Sequence, residues 1–482
     1  MTTTATITAI VDGEHVGMPT TFDTLDPSTG QVFATLPAGD AALVDRAVRA
    51  ARRALPAWRS TPVLERSQLM AAFAHRIRAE VDDLAETESR DTGKPLSQAR
   101  VDVEQCAQYF EFAAGGIRVL HGDVIPTDDH TLAYTRREPH GVAGVIIPWN
   151  YPLQITGRAV SAAISTGNTV VLKPAEEAPV NPVRLAELAL EVGIPAGVFN
   201  VVPGIGEAAG AALAAHPGID HLSFTGSVEV GRLVGAAAAQ TFTPLTLELG
   251  GKSPNIVFAD ADLDEAVPVI VNSILQNAGQ TCSAGSRLVV AREVHDEVVD
   301  RVAAAFADTT IGPGMDDPDL GPLISSGQRD RVASMVGAAA RESTLVMGGD
   351  PPSGNGLAGG FYWSPTLFAN VDSDATVARE EVFGPVMAAT PFDDLDDAAR
   401  LANATDYGLI AAVWTRDVDR AHWLAHQLDV GQVYVNQYGA GGGVVLPFGG
   451  VKHSGHGREK GFEALVGYTR TKTVAVRTRP HR

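Results

Sequence analysis

From Gly144 to Pro174 the chain reads GVIIPWNYPLQITGRAVSAAISTGNTVVLKP. Two short apolar runs, 144–147 and 168–172, bracket a helical span, and the second stops at Lys173-Pro174. Apolar runs this short, bounded by turn residues, suit strands buried on both faces. The rhythm continues downstream. Residues 182–192 read as a helix, 198–202 as a third strand, 206–215 as a helix, 221–224 as a fourth strand and 228–240 as a helix. Strands alternating with helices predict an α/β fold with a parallel sheet covered on both faces. A second α/β region begins near Leu247. Its helix is expected over 263–278, capped by Asp262 and either bent or started late by Pro268.

Upstream, the first third reads mostly helical. Asp40 is placed to cap a helix whose Val44, Ala47, Val48, Ala51 and Leu55 share a face. A second helix aligns Leu69, Phe73 and Ile77, and a third runs over about 101–114. Residues 132–138, LAYTRRE, are extended and charged, as in an exposed ribbon. The tail at 472–478 alternates like a strand and is expected to pair with that ribbon. A Gly- and Pro-rich stretch near Asp350 reads as a loop.

The 482 residues suit two or three domains. Asp plus Glu (57) outnumber Lys plus Arg (37), and the net charge of −20 makes a poor general partner for nucleic-acid phosphates. No run of about 18 apolar residues predicts a membrane span, and the first residues lack the basic and apolar segments of a secretion signal. Cys106 and Cys282 are the only cysteines, so no disulfide framework exists and a reducing cytoplasm is the expected compartment. The 13 histidines show no metal spacing; His453 and His456 read as a polar turn, and no metal is expected.

Four places carry residues suited to chemistry. Cys282 follows a helix ended by Gly279 and sits between Thr281 and Ser283, small polar neighbours that leave room for a substrate. On local grounds a nucleophile and a buried core thiol stand level; Cys106, at helical spacing, reads as core. Glu248, in LTLELGGK, is either an edge-strand residue facing water or a general base whose pKa is raised by burial, and the local sequence favours the former. Asn150, held between Pro148 and Pro152, is a turn residue or a rigid oxyanion donor. Ser227 is an ordinary helix cap or part of a phosphate site. Gly204, Gly206 and Gly210 are spaced one residue too long for the dinucleotide fingerprint.

Eight segments, in order, resemble the NAD(P)-dependent aldehyde dehydrogenase superfamily over essentially the whole chain: PWN at 148–150, LKPAE at 172–176, FTGS at 224–227, ELGGK at 248–252, GQTC at 279–282, EVFGP at 381–385, PFGG at 447–450 and SGHGRE at 454–459. The resemblance implies a Rossmann-like coenzyme domain (1–128 and 148–247), an α/β catalytic domain (248–446), a small β oligomerisation ribbon (129–147 and 467–482) and a return segment (447–466). It implies a homodimer or homotetramer. Cys282 is then the nucleophile, Asn150 with the Cys282 N–H holds the oxyanion, and Glu248 activates the water that hydrolyses the thioester. A glutamate at 248 favours the free acid over transfer to coenzyme A. Lys173 and Glu176 match contacts to the adenosine ribose. A carboxylate there repels the additional phosphate of NADP, so NAD is expected and NADP is less favoured. Trp149, Thr225, Gly226, Ser227, Leu249, Glu381 and Phe383 match further cofactor contacts.

By the same resemblance the substrate is a small-molecule aldehyde bounded by Tyr151, Arg158, Gln276, Thr281, Ser283 and Tyr438, with the loop 437–446. Members acting on succinic semialdehyde carry an arginine at the position of Arg158 and a second near Gln276. With one cation in place of two, a neutral or aromatic aldehyde is expected, walled by Tyr151 and Tyr438. A glycine-rich loop with a single aromatic disfavours a quaternary ammonium. The alternatives are an acidic semialdehyde bound through Arg158, a coenzyme A-acylating enzyme, and a catalytically silent binding protein.

Overall fold

The computed structural model describes residues 5–354, 356–439 and 443–478. Positions 440–442 of the loop expected beside the substrate, Asn355, and the two chain ends lie outside the described residues.

Among the described residues, the first large sheet has eight strands, in the order Gly455–His456, Leu245–Glu248, His221–Thr225, Val142–Ile146, Thr169–Lys173, Phe199–Val201, Ala9–Val11, Glu14–Val16. Its inner five strands are parallel and its margins antiparallel. Strands 142–146, 169–173 and 221–225 are buried throughout, as runs without alternation require. Strand Val142–Ile146, assigned above to the ribbon, belongs to this sheet: it pairs with 169–173 and 221–225. Its five buried residues leave no side for water.

The stretch before Asp40, for which no element was expected, forms strands. Thr21–Asp26 and Gln31–Pro37 form a hairpin, and Ala9–Val11 and Glu14–Val16 another. The second hairpin turns on Asp12 and Gly13, both at positive φ. Asp-Gly is the two-residue turn that matches the twist of paired strands, a signal present in the sequence.

A second sheet has seven strands in the order Thr344–Met347, Thr366–Ala369, Val386–Phe392, Arg287–Ala291, Pro254–Val257, Ile410–Trp414, Gln432–Val435, parallel except at the first. Apart from these, Thr131–Pro139 pairs antiparallel with Thr469–Arg477 along its whole length, with Val124–Ile125 on the other edge.

Helix Ala41–Ser60 is capped by Asp40, whose carboxylate accepts from the Ala42 and Leu43 amides; Val44, Ala47, Val48 and Ala51 are buried and Leu55 half-buried. Helix Leu263–Leu275 starts directly after Asp262, so Pro268 causes no late start. It stops three residues short of the expected end, because Gln276 is extended and Asn277 and Ala278 turn to positive φ. Cys106 is fully buried in the core beside Phe73 and Phe110. Both cysteines are free. No described helix is long and apolar enough to cross a membrane.

Candidate active site

The chain runs from strand 142–146 outward to 169–173 and 199–201, then returns to lay 221–225 and 245–248 on the other side of 142–146. The order therefore reverses between 142–146 and 221–225. A crevice opens at the carboxyl ends of parallel strands at such a point. The segments that follow these strands, Pro148–Tyr151, Thr225–Ser227 and Glu248–Gly250, line a cavity of about 310 Å³. From the second sheet, the turn after helix 263–275 brings Gln276, Thr281, Cys282 and Ser283 to the same cavity.

Gly279 makes that turn possible. It adopts a φ of +71°, and a Cβ there would collide with the Gly384 carbonyl. Cys282 is left half-buried on the cavity wall. Its backbone N–H has no hydrogen-bond partner among the described residues. Burial pushes the thiol up to about 12; Arg158 opposes this, while the Glu381 and Glu248 carboxylates add to it.

Glu248 does not face water. It ends a strand flanked on both sides by 221–225 and 455–456 and is 1% exposed. This overturns the locally favoured reading, since a short strand shows its alternation but not what lies over either face. Both carboxyl oxygens lack a hydrogen-bond partner among the described residues. Burial raises the pKa well above the usual value, Glu459 raises it further, and Arg158, Arg458 and Lys460 pull it back. Gly449 permits this placement, since a Cβ there would stand 2.7 Å from Glu248 Oε1.

Asn150 is 4% exposed. Its Nδ2 donates to the Gln280 carbonyl at 2.9 Å. Its own carbonyl accepts from Lys94 Nζ at 3.0 Å and from Asn277 Nδ2 at 2.9 Å.

The residues present fit a dinucleotide. Lys173 Nζ and Glu176 Oε2 form a 2.7 Å ion pair, and Glu176 Oε1 accepts from the Gly206 amide at 3.3 Å. Glu176 thus offers a carboxylate for ribose hydroxyls. Ser227 caps helix Val228–Thr241, accepting from the Val230 amide, and is exposed. A helix N-terminus of this kind suits phosphate. Trp149 and Phe383 meet edge to face at 5.4 Å on the cavity wall. Thr225, Gly226, Leu249 and Glu381 line the same cavity. Glu381 accepts from the Gly251 amide at 2.9 Å, and burial pushes its carboxyl up to about 7. Among the described residues no cluster of His, Cys, Asp and Glu could hold a metal.

On the substrate side Tyr151 lines the cavity, its hydroxyl 2.8 Å from Thr281 Oγ1. Tyr438 is not on the wall. Its hydroxyl donates to the Ser283 carbonyl at 2.6 Å, so it braces the turn that carries Cys282. Arg158 lines the cavity but its charge is engaged. Nε sits against the Glu459 carboxylate, Nη2 donates to Thr225 Oγ1 at 3.4 Å, and the guanidinium lies 5.2 Å from the Phe448 ring centre. Glu459 also accepts from Ser223 Oγ at 2.8 Å.

Sequence reasoning missed several cavity residues: Tyr109, Phe448 and Lys460 among them. Lys460 is 5% exposed, takes a φ of 61°, and has its ammonium 5.0 Å from the Phe448 ring centre. Burial, then Arg158, lower it to about 7. A lysine beside a glycine-rich motif carries no local sign of burial.

Residues 15–474 match the aldehyde dehydrogenase family. The hydroxyisobutyraldehyde dehydrogenase of Mycolicibacterium austroafricanum is 40% identical over 461 residues, 95% of this chain and 91% of the relative. A crystal structure from Burkholderia cenocepacia is 50% identical, covers 98% of this chain and 100% of its own, and superposes with a TM-score of 0.96. An indole-3-acetaldehyde dehydrogenase solved with NAD+ is 39% identical, covers 98% and 96%, and has a TM-score of 0.95.

Proposed function

The chain belongs to the aldehyde dehydrogenase family, and we propose that it oxidises neutral or aromatic aldehydes to carboxylic acids with NAD, through Cys282, Asn150 and Glu248. One observation carries this reading. A half-buried thiol, a buried carboxyl without a hydrogen-bond partner among the described residues and an asparagine amide share one cavity at the switch point of a parallel sheet.

In this reading the Cys282 thiolate bonds to the aldehyde carbon, and the carbonyl electron pair moves to oxygen. Asn150 Nδ2 has two protons; Gln280 takes one, and the other remains for the oxyanion. The Cys282 N–H supplies the second donor. A bound nicotinamide supplies the hydride acceptor that converts the adduct to a thioester. Glu248 then removes a proton from water as the water oxygen bonds to the thioester carbon. The C–S bond breaks, releasing the acid and returning Cys282. A carboxyl whose pKa is raised by burial is a stronger base once ionised, which suits this task.

NAD over NADP rests on Glu176, whose carboxylate would face the additional phosphate, and on the paired state of Lys173. The relative with indole-3-acetaldehyde in its name holds NAD+. A neutral substrate is supported by Arg158, whose charge Glu459 already balances, and by the aromatic walls Tyr109, Tyr151 and Phe448. The named aldehydes of the two relatives, hydroxyisobutyraldehyde and indole-3-acetaldehyde, are both uncharged. A second reading, an acidic semialdehyde, draws on Arg331 and Lys460, which line the cavity together with Arg158. Residues 1–128 with 148–247 would hold the coenzyme and 248–446 the thiol, now with strand 142–146 on the coenzyme side. The ribbon exposes Val124, Leu132 and Val476, which supports pairing of copies into a homodimer or homotetramer. Two free cysteines suit the cytoplasm.

A steady-state panel with hexanal, benzaldehyde and succinic semialdehyde, each with NAD and NADP, tests the proposal. Higher kcat/KM for the semialdehyde would overturn the substrate choice. NADH formation surviving Cys282→Ala would overturn the mechanism, and turnover that depends on added coenzyme A would overturn hydrolysis.

A further inference from the structure

We propose that the buried cluster of Lys94, Asp102 and Glu88 positions the oxyanion-binding amide of Asn150 by gripping that residue's main-chain carbonyl. The inference rests on the role given to Asn150 above and extends it to residues outside the cavity.

Lys94 is 1% exposed, Asp102 2% and Glu88 0%. An ammonium has three protons. Those of Lys94 are directed to the Asp102 carboxylate, to Glu88 Oε1 at 3.3 Å and to the Asn150 carbonyl at 3.0 Å. The ammonium also lies 4.3 Å from the Tyr151 ring centre. Both carboxylates are themselves held: Asn181 Nδ2 donates to Glu88 Oε2 at 2.9 Å, and Gln154 Nε2 to Asp102 Oδ1 at 2.5 Å. Four helices thereby converge on one ammonium: 81–92 through Glu88, 96–116 through Asp102, 152–165 through Gln154 and 180–191 through Asn181.

Stability alone is a weak reason for such a cluster, because buried ion pairs are often matched or bettered by apolar side chains of similar volume. Its geometry points to the site. Asn150 lies in a bend with no sheet or helix to satisfy its carbonyl. That carbonyl is held from two sides, by Lys94 and by Asn277 Nδ2. Asn277 belongs to the turn that leads to Cys282, and its N–H donates to Gln98 Oε1 at 3.0 Å. Gln98 and Asp102 share helix Leu96–Gly116. One helix therefore references both halves of the oxyanion site, the Asn150 amide and the Cys282 turn. The cluster sets one ammonium against two carboxylates, so Asp102→Asn still leaves Lys94 paired with Glu88 and is a milder change than Lys94→Met.

The test compares Lys94→Met and Asp102→Asn, each alone and each combined with Asn150→Ala. It reads kcat, KM for aldehyde, NADH affinity by fluorescence, and Tm. Misplacing a reacting group by about 1 Å can cost about a hundredfold, so Lys94→Met should lower kcat by about tenfold to a hundredfold. Asp102→Asn should give a smaller loss of the same kind, and NADH affinity should hold in both. In the Asn150→Ala background neither change should lower kcat further, since both act through the residue already removed. Full kcat in either folded single variant overturns the proposal. So does an equal fold-loss in the Asn150→Ala background, which marks a general structural role. Should Lys94→Met not fold, Asp102→Asn decides by the same two criteria. An Asn150→Ala enzyme with undiminished kcat would instead sink the oxyanion assignment itself.

Discussion

Glu248 shows what burial does to a single side chain. As a buried carboxyl with no hydrogen-bond partner among the described residues and with Glu459 nearby, it holds its proton to higher pH than a solvated glutamate. A general base works only when ionised, so activity should be low where Glu248 is protonated and rise as pH passes upward through its raised pKa. Cys282, pushed to about 12, slopes in the same direction. We expect kcat to climb from neutral to alkaline pH. In Glu248→Gln the first NADH should still form as a rapid burst, while steady turnover falls by about a hundredfold or more. Rapid-mixing fluorescence of NADH measures both, and a variant with normal steady turnover would remove Glu248 from hydrolysis. The candidate side chain was legible in the sequence. Its burial was not, because it is set by residues 449–460 folding over the strand end. Arg158 teaches the same lesson, since its partner Glu459 comes from a distant segment.

At the scale of elements, the turn that carries Cys282 depends on backbone geometry rather than on side-chain chemistry. Gly279→Ala would place a methyl group against the Gly384 carbonyl at a φ that disfavours alanine. Strain at such a position costs about 1–3 kcal/mol, and relieving it moves the turn. The expected result is a lower Tm with a large loss of kcat; an active, equally stable variant would show that the turn tolerates another path. Local signals placed most helices and the parallel strands, because apolar spacing and caps such as Asp40 act over a few residues. The misses are local too. Asp12-Gly13 marks a hairpin passed over in a stretch given no element, and the helix after Asp262 ends where Gln276 turns away from helical geometry.

For the whole molecule, the ribbon is the feature with least reason to exist in isolation. Strand Thr469–Arg477 is mostly exposed, Thr131–Pro139 is mostly half-buried, and Val124–Ile125 offers an open edge. Exposed apolar side chains on open edges are a liability unless covered. Light scattering after gel filtration should give a mass of two or four chains. Val124→Lys with Leu132→Lys should shift it toward one chain without unfolding the two large sheets, as read by circular dichroism. A monomeric wild type would contradict the association.

Periodicity, caps and motif order reach only along the chain, and they were enough to define an α/β protein, its alternating strands and helices, and the residue types suited to aldehyde chemistry. Which strand joins which sheet, whether Glu248 meets water, what neutralises Arg158 and what holds Asn150 depend on distances through space. Desolvation and Coulomb energies follow those distances, so only the folded chain decides them.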